Sequence, residues 1–286
     1  MAPAEPLSVW RVDKPAGPTS HDVVDRVRRG LRRGVKVGHT GTLDPFASGL
    51  LVVLVGRATR LARFMTGADK TYEADIRLGV VSDSGDPDGR LSPTGAALPD
   101  EGAIARAVAS FHGPQRQRVP ALAAVKVDGE RLYRRTRRGE TPALPEREIT
   151  IHDIALRAAP SVDGTVPLRV RCSAGTYVRR LATDLGDRLG CGAYCAALRR
   201  TAVGDLALEG AVTPDAVVEE GQGDLRAALA HLPERALTAE QAEGVLHGRA
   251  IEGQAEGVAT LWHGERLLAV AEGGGDGTLR PKVVLG

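Results

Sequence analysis

The sequence predicts an α+β protein in which helices flank a mixed sheet, with a small β-rich module at the C-terminal end. Strand-like and helix-like segments interleave along the first 200 residues. They lack the regular spacing of βαβ units, which favours a mixed sheet over a doubly wound parallel one. Near residue 210 the chain turns acidic and glycine-rich, and a capped helix, a hairpin and a last strand follow. The expected division is residues 1–230 for the main domain and 231–286 for the module. The module's roughly 55 residues are few for an independent domain, so it should pack on the main body.

In order, Val12–Gly17 reads as a short strand entering a Pro/Gly turn. Thr19 and Ser20 are N-cap candidates for a helix in which Val23, Val24, Val27 and Leu31 recur at helical spacing, and Gly34 ends it. Gly38–Gly49 is a loop rich in Gly, Thr and Ser that runs into Leu50–Val55, an apolar run suited to a buried strand. Thr71–Leu78 alternates as a strand, Val81–Pro99 is a loop, Ile104–Phe111 a short helix, and Pro114–Gly139 irregular and basic. Leu168–Cys172 alternates strictly, and Thr176–Leu189 sets Val178, Leu181, Leu185 and Leu189 on one helical face. In the module, Thr238 and Gln241 form a capping box, Val258–Trp262 and Arg266–Ala271 flank a turn as a hairpin, and Arg280–Leu285 is the final strand.

Composition excludes several classes. Hydrophobic residues at 42% and charged residues at 26% suit a globular protein with a full core. Three cysteines make neither a disulfide framework nor the four-ligand set of a closed zinc site. No basic and apolar leader opens the chain, and the longest apolar run, Leu50–Val55, is far short of the roughly 20 residues that cross a bilayer. A cytoplasmic protein without a membrane partner is expected. The phosphate-loop, dinucleotide, HExxH and GxSxG fingerprints are absent. Ser84–Gly95 imitates a calcium loop at Asp86, Asp88 and Gly89, but it begins on serine and ends on glycine where glutamate is required.

The net charge of +2 hides a split. Residues 201–286 hold six basic and fourteen acidic residues, whereas residues 1–200 hold 32 and 22. Such asymmetry points to a polyanion partner for the first part. Its basic residues form three groups: Arg26–Lys36; Lys126, Arg131, Arg134, Arg135, Arg137 and Arg138 around Tyr133; and a looser set from Arg169 to Arg200. Each also reads as an ordinary solvated face.

Asp44 stands out as one carboxylate in a loop of small residues, just before a buried strand, with the flat polar ring of His39 five residues earlier. Such a loop lets backbone approach a ligand, although a turn aspartate bonding nearby N–H groups fits the same pattern. Gly175-Thr176-Tyr177-Val178-Arg179 sets an aromatic ring and a guanidinium two residues apart at a strand–helix join. The ring could stack on a base and the guanidinium hold a carboxylate ionised; a core tyrosine and a surface arginine are the plainer alternative. Lys70-Thr71-Tyr72 offers the same choice.

Five blocks, VDKPAGPTSHDVV, VGHTGTLDPFASGLLVVLVGRATRL, KTYEADIRLG, VKVDGERLYRRTRRGE and CSAGTYVRRLATDLGDRLGCGAYCAALRRTAVG, together resemble the TruB family of bacterial tRNA pseudouridine-55 synthases. The resemblance covers most of residues 9–205, and the tail looks like a PUA-type RNA-binding module. It implies the pseudouridine synthase fold, a mixed, largely antiparallel sheet with flanking helices and a central cleft. It implies a reaction in which a T-loop uridine of tRNA is flipped out and isomerised through its C1′–N1 bond. Asp44 matches the essential aspartate, Tyr72 the ring that stacks on the uracil, and Tyr177, Arg179 and Leu198 residues of the pocket. His39 matches the histidine that helps hold the loop nucleotides open. No metal or cofactor is implied, since no water is activated and no redox occurs; neither is an obligate protein partner, and a monomer is expected. The family's usual P-x-x-S-A-x-K reads Pro120-Ala-Leu-Ala-Ala-Val-Lys126 here, which touches none of the matched site residues. Two other readings are an RNA-binding or folding-assisting protein, which would not need Asp44 and Arg179 together, and a related synthase aimed at another RNA.

Overall fold

The run Leu50–Val55 forms a strand buried on both faces, and the rest of the architecture is arranged around it. The computed structural model describes residues 5–120, 126–127, 130–131, 138, 140, 144–219, 225–253 and 256–286. In chain order the large sheet comprises β1 (Leu7–Lys14), β2 (Val37–His39), β3 (Ser48–Gly56), β4 (Lys70–Leu78), β5 (Gly113–Arg118), β6 (Glu146–Leu156), β7 (Thr165–Cys172), β8 (Ala193–Val203) and β9 (Leu206–Ala207). Side by side the order is β1-β3-β8-β4-β7-β6-β5, with β2 also on β3 and β9 on β8. Within this sheet only β3 with β8 runs parallel. This is the expected mixed, largely antiparallel sheet. Helices α1 (Ser20–Gly30), α2 (Glu101–Ala109) and α3 (Val178–Leu189) accompany it.

The continuous apolar pattern of β3 has a physical reason: both of its faces are covered. Leu51, Val53 and Val55 pack with Val23 and Val27 of α1. Leu50 and Leu54 face a second cluster, shared with the C-terminal sheet. That sheet comprises β10 (Glu234–Ala236), β11 (Ile251–Glu252), β12 (Val258–His263), β13 (Arg266–Gly273) and β14 (Thr278–Val284), ordered β10-β12-β13-β14-β11. Trp262, Val270 and Val283 reach the Leu50 cluster, and Arg60 donates to the Val284 carbonyl at 2.7 Å. Helix α4 (Ala239–Leu246) opens with the expected capping box at Thr238 and Gln241. On β4, Tyr72, Ala74, Ile76 and Leu78 alternate into the largest core cluster, beneath α2 and α3.

One irregularity places the site. β1 occupies one edge of β3 along its length. The other edge is divided: β8 meets it at Ser48 and Gly49, and β2 takes it further along, at Val53–Val55. The sheet forks there, and the β2–β3 loop carrying Asp44 lies at the fork. Gly49 makes the close approach possible. Its φ is +100°, and a Cβ would lie 2.3 Å from the Arg200 carbonyl oxygen.

Several boundaries differ from the expectation. β1 begins at Leu7 rather than Val12, because its whole length ladders onto β3. α1 stops at Gly30, not Gly34, with Leu31 already extended. The Val81–Pro99 loop contains a short ribbon, Val80–Ser82 with Leu91–Pro93. Two eleven-residue strands escape the alternation pattern: β6 sets four charged residues among its apolar ones, and two bulges interrupt the period of β8. The first basic group is partly consumed by ion pairing, with Arg26 on Asp215 and Arg32 on Glu219. Tyr133, Arg134, Arg135 and Arg137 of the second group lie outside the described residues. Among the described residues no helix is long and apolar enough to cross a membrane.

Gly49 and Gly30 should respond oppositely to a methyl group. Gly49→Ala should cost at least about 2 kcal/mol, from the forced positive φ and the clash with Arg200. Gly30→Ala, in a helix with open space around it, should gain about 0.5–1 kcal/mol. Urea unfolding of the two variants measures both.

Candidate active site

The β2–β3 loop is held from four directions. The Ser20 hydroxyl, at the start of α1, accepts from the Leu43 N–H at 2.8 Å and donates to the Leu43 carbonyl at 3.0 Å. The fully buried Lys14 ammonium reaches the carbonyls of Pro18 and Ala47, each at 2.7 Å, and that of Pro45 at 3.3 Å. The buried Arg200 guanidinium donates to the Leu50 carbonyl at 2.7 Å and to the Gly41 carbonyl at 2.9 Å. At Leu50 it thereby serves an acceptor that a longer β3–β8 ladder would have served, which a buried backbone carbonyl requires. Arg179, at the start of α3, supplies the fourth hold through Asp44 itself.

Arg179 is 4% exposed and lies between two carboxylates. Its Nε is 2.9 Å from Asp44 Oδ2 and its Nη2 donates to Asp44 Oδ1 at 3.3 Å. Its Nη1 donates to Asp86 Oδ2 at 2.8 Å. The Nε–H is poorly aligned, so that contact is Coulombic more than a hydrogen bond. The Asp44 side chain is 34% exposed and opens into a cavity of about 360 Å³. Burial pushes the Asp44 carboxyl above the usual aspartate range; Arg179 pulls it back, and the charge of Asp86 adds to the rise. Arg179 is adjacent, but it is shared, and desolvation wins.

Tyr72, Tyr177, Arg179 and Leu198 line the same cavity as Asp44. They come from β4, the residue before α3, α3 itself and β8. Tyr72 and Leu198 are nearly buried and belong to the large core cluster. Tyr177 is fixed through its backbone, because Gln117 donates to its carbonyl at 3.0 Å and accepts from its N–H at 2.8 Å. His39 is not part of the lining. It sits beside it on β2, where its Nδ1 accepts from the Gly41 N–H at 3.3 Å, and burial lowers its pKa. Asp86, Lys14 and Arg200 are the groups whose place at the site sequence reasoning passed over. Asp86 lay in plain view within the failed calcium pattern, whose Ser84 hydroxyl bonds its carboxylate. Burial pushes Lys14 and Lys70 each down to about 8. The three cysteines are buried thiols.

Comparison with known proteins identifies the arrangement. Residues 28–178 match the TruB family pseudouridylate synthase N-terminal domain, and residues 179–232 match the tRNA pseudouridylate synthase B C-terminal domain. The chain belongs to the TruB family of pseudouridylate synthases. It is 43% identical to the tRNA pseudouridine synthase B of Synechococcus sp. (strain WH7803), over 98% of this chain and 97% of that one. To the protein of the same name from Thermobifida fusca (strain YX) it is 45% identical, over 96% of each chain. A solved structure described as an H/ACA RNP bound to a substrate RNA containing 2′-deoxyuridine shares the fold. Its TM-score is 0.72 at 23% identity, covering 97% of this chain and 84% of that one.

In this TruB-family site Asp86 and Asp44 compete for one guanidinium, so neutralising Asp86 should lower the pKa of Asp44. In Asp86→Asn, the Asp44 carboxyl should titrate at lower pH than in the wild type, followed by NMR of ¹³C-labelled aspartate. An unmoved titration would show that Asp86 does not act on Asp44.

Proposed function

We propose that this pseudouridylate synthase acts on tRNA, isomerising the T-loop uridine at position 55, with Asp44 as the reacting carboxylate. The observation that carries the reading is a single carboxylate, paired with a buried guanidinium, in a partly apolar cavity walled by two tyrosines and a leucine. The names of the full-length relatives support tRNA as the substrate.

The uridine is extruded from the T-loop, which costs a few kcal/mol of stacking. Stacking of the uracil on Tyr72 returns about 1–3 kcal/mol. His39, beside the cavity, helps hold the loop nucleotides open. Asp44 acts at the ribose, as nucleophile or as base. The C1′–N1 bond breaks, the uracil turns, and C1′ rejoins it at C5; the C5 proton leaves and N1 gains one. The change is a redox-neutral isomerisation with no water added, so it calls for neither metal nor cofactor. Leu198 and the ring of Tyr177 limit water at the reacting bond. The basic first 200 residues bear the RNA, and residues 231–286 serve as a PUA-like RNA-binding module. The protein works in the cytoplasm, as a monomer and without an obligate protein partner.

Incubation with an unmodified tRNA transcript, followed by chemical labelling of pseudouridine, should show one modified position in the T-loop. Asp44→Asn should abolish product while leaving tRNA affinity within a few fold; substantial residual turnover removes Asp44 from its role. The reactive form is the carboxylate, present above its pKa and lost as pH falls through it. Because that pKa is raised, the acid limb of the rate should lie above the ordinary aspartate range of about 3.9. A limb at or below that value would mean that a different group titrates.

A further inference from the structure

The cations that line the cavity, or hold its Asp44 loop, are bound to fixed acceptors of the protein. Arg179 is shared by Asp44 and Asp86, Arg200 serves two backbone carbonyls, and Lys70 serves those of Thr66 and Ala68. Lys14 is enclosed by carbonyls. Arg147 is different. It lies on β6, partly buried at the rim, with its guanidinium carbon 5.5 Å from the centroid of the Tyr177 ring. Its Nη1 makes one long hydrogen bond, 3.4 Å, to the carbonyl of Gly175, and both Gly175 and Tyr177 line the cavity. No carboxylate among the described residues pairs with it. The neighbouring strand residues do pair: Arg116 and Arg118 of β5 both share Glu146.

The seat of this guanidinium is built. Gly175 has φ +84°, and a Cβ there would come within 2.9 Å of Arg147 Nη1. Arg147 is not needed to fix Tyr177, whose backbone is already held on both sides by Gln117, the residue facing Arg147 across the β5–β6 ladder. A fork of N–H donors at the lip of a nucleotide cavity, resting on an aromatic face, has unused capacity for an anion.

We propose that Arg147 is a substrate-positioning residue that grips a phosphate flanking the flipped uridine. This rests on the reading of the cavity as the uridine site. A nucleotide swung into the cavity brings its two flanking phosphates to the rim, where Arg147 meets one of them. The bond is charge-assisted, forms only with RNA in place, and orients the ribose toward Asp44.

The test uses the full-length protein and a T-stem-loop RNA carrying a methylphosphonate, which removes one phosphate charge, on either side of the target uridine. Arg147→Gln retains a donor for the Gly175 carbonyl but removes the charge; Arg147→Lys keeps the charge. For Arg147→Gln, kcat/KM should fall about tenfold, the size of one charge-assisted hydrogen bond, mainly through KM. The salt dependence of binding should become shallower by about one phosphate contact. Arg147→Lys should recover much of the loss. One methylphosphonate should cost the wild type a similar factor and cost Arg147→Gln almost nothing further. Full activity in Arg147→Gln, rescue by Gln but not by Lys, or losses that simply add at both linkages would overturn the assignment. An unchanged melting temperature separates these effects from misfolding. Absence of pseudouridine with the wild type overturns the reading of the site as well; wild-type turnover with an indifferent Arg147→Gln overturns this assignment alone.

Discussion

The sharing of one buried guanidinium by two carboxylates is the contact on which the rest of the cavity depends. Asp44, Asp86 and Arg179 come from a loop, a second loop and a helix that are far apart in sequence. As a trio they carry one net negative charge. That charge cannot be fully neutralised, and burial keeps the carboxyl of Asp44 less acidic than an exposed one. The cost is the usual one for a buried ionic group: the pairing contributes little to net stability, but removal of Arg179 leaves both carboxylates without a counter-charge, which costs about 3–5 kcal/mol. The trio is better understood as fixing geometry. It sets the distance between the Asp44 loop and the start of α3, and therefore the width of the cavity between Asp44 and Tyr177.

The fork beside β3 is the second constraint. A parallel pairing that lasted the length of β3 would seal the sheet and leave the β2–β3 loop outside it. Here the pairing stops after Ser48 and Gly49, and Arg200 takes over with side-chain donors where ladder donors end. Lys14 and Ser20 bind three further carbonyls there, those of Leu43, Pro45 and Ala47. Every group in this arrangement is polar and buried, so it is stable only when all are satisfied together. The loop that presents Asp44 is thus as fixed as a strand.

Much of this was legible in the sequence where local chemistry decides the outcome. The capping residues Thr19 and Thr238, the two-face burial of Leu50–Val55 and the C-terminal hairpin follow from neighbouring residues alone. Asp44, Tyr72, Tyr177, Arg179 and Leu198 were singled out by family resemblance, and they line one cavity. What stayed hidden is what the fold assembles at a distance. Asp86 reads as part of a failed cation loop until Arg179 stands beside it. Lys14 and Arg200 read as surface charges until their carbonyl partners surround them. Strand β6 conceals its period under charged residues, and β8 conceals its own because two bulges shift its register. His39 was matched to the site by its motif, yet its ring is turned to the Gly41 amide beside the cavity.

The apolar cluster beneath β3 joins Leu50 and Leu54 to Trp262, Val270 and Val283, and Arg57 and Arg60 donate to the carbonyls of Leu285 and Val284 at the end of the last strand. The two sheets are therefore expected to unfold together. Excising the tail would not yield a trimmed enzyme but one with a sticky, greasy underside. Equally, any force on the tail is delivered straight to the strand from which the Asp44 loop departs.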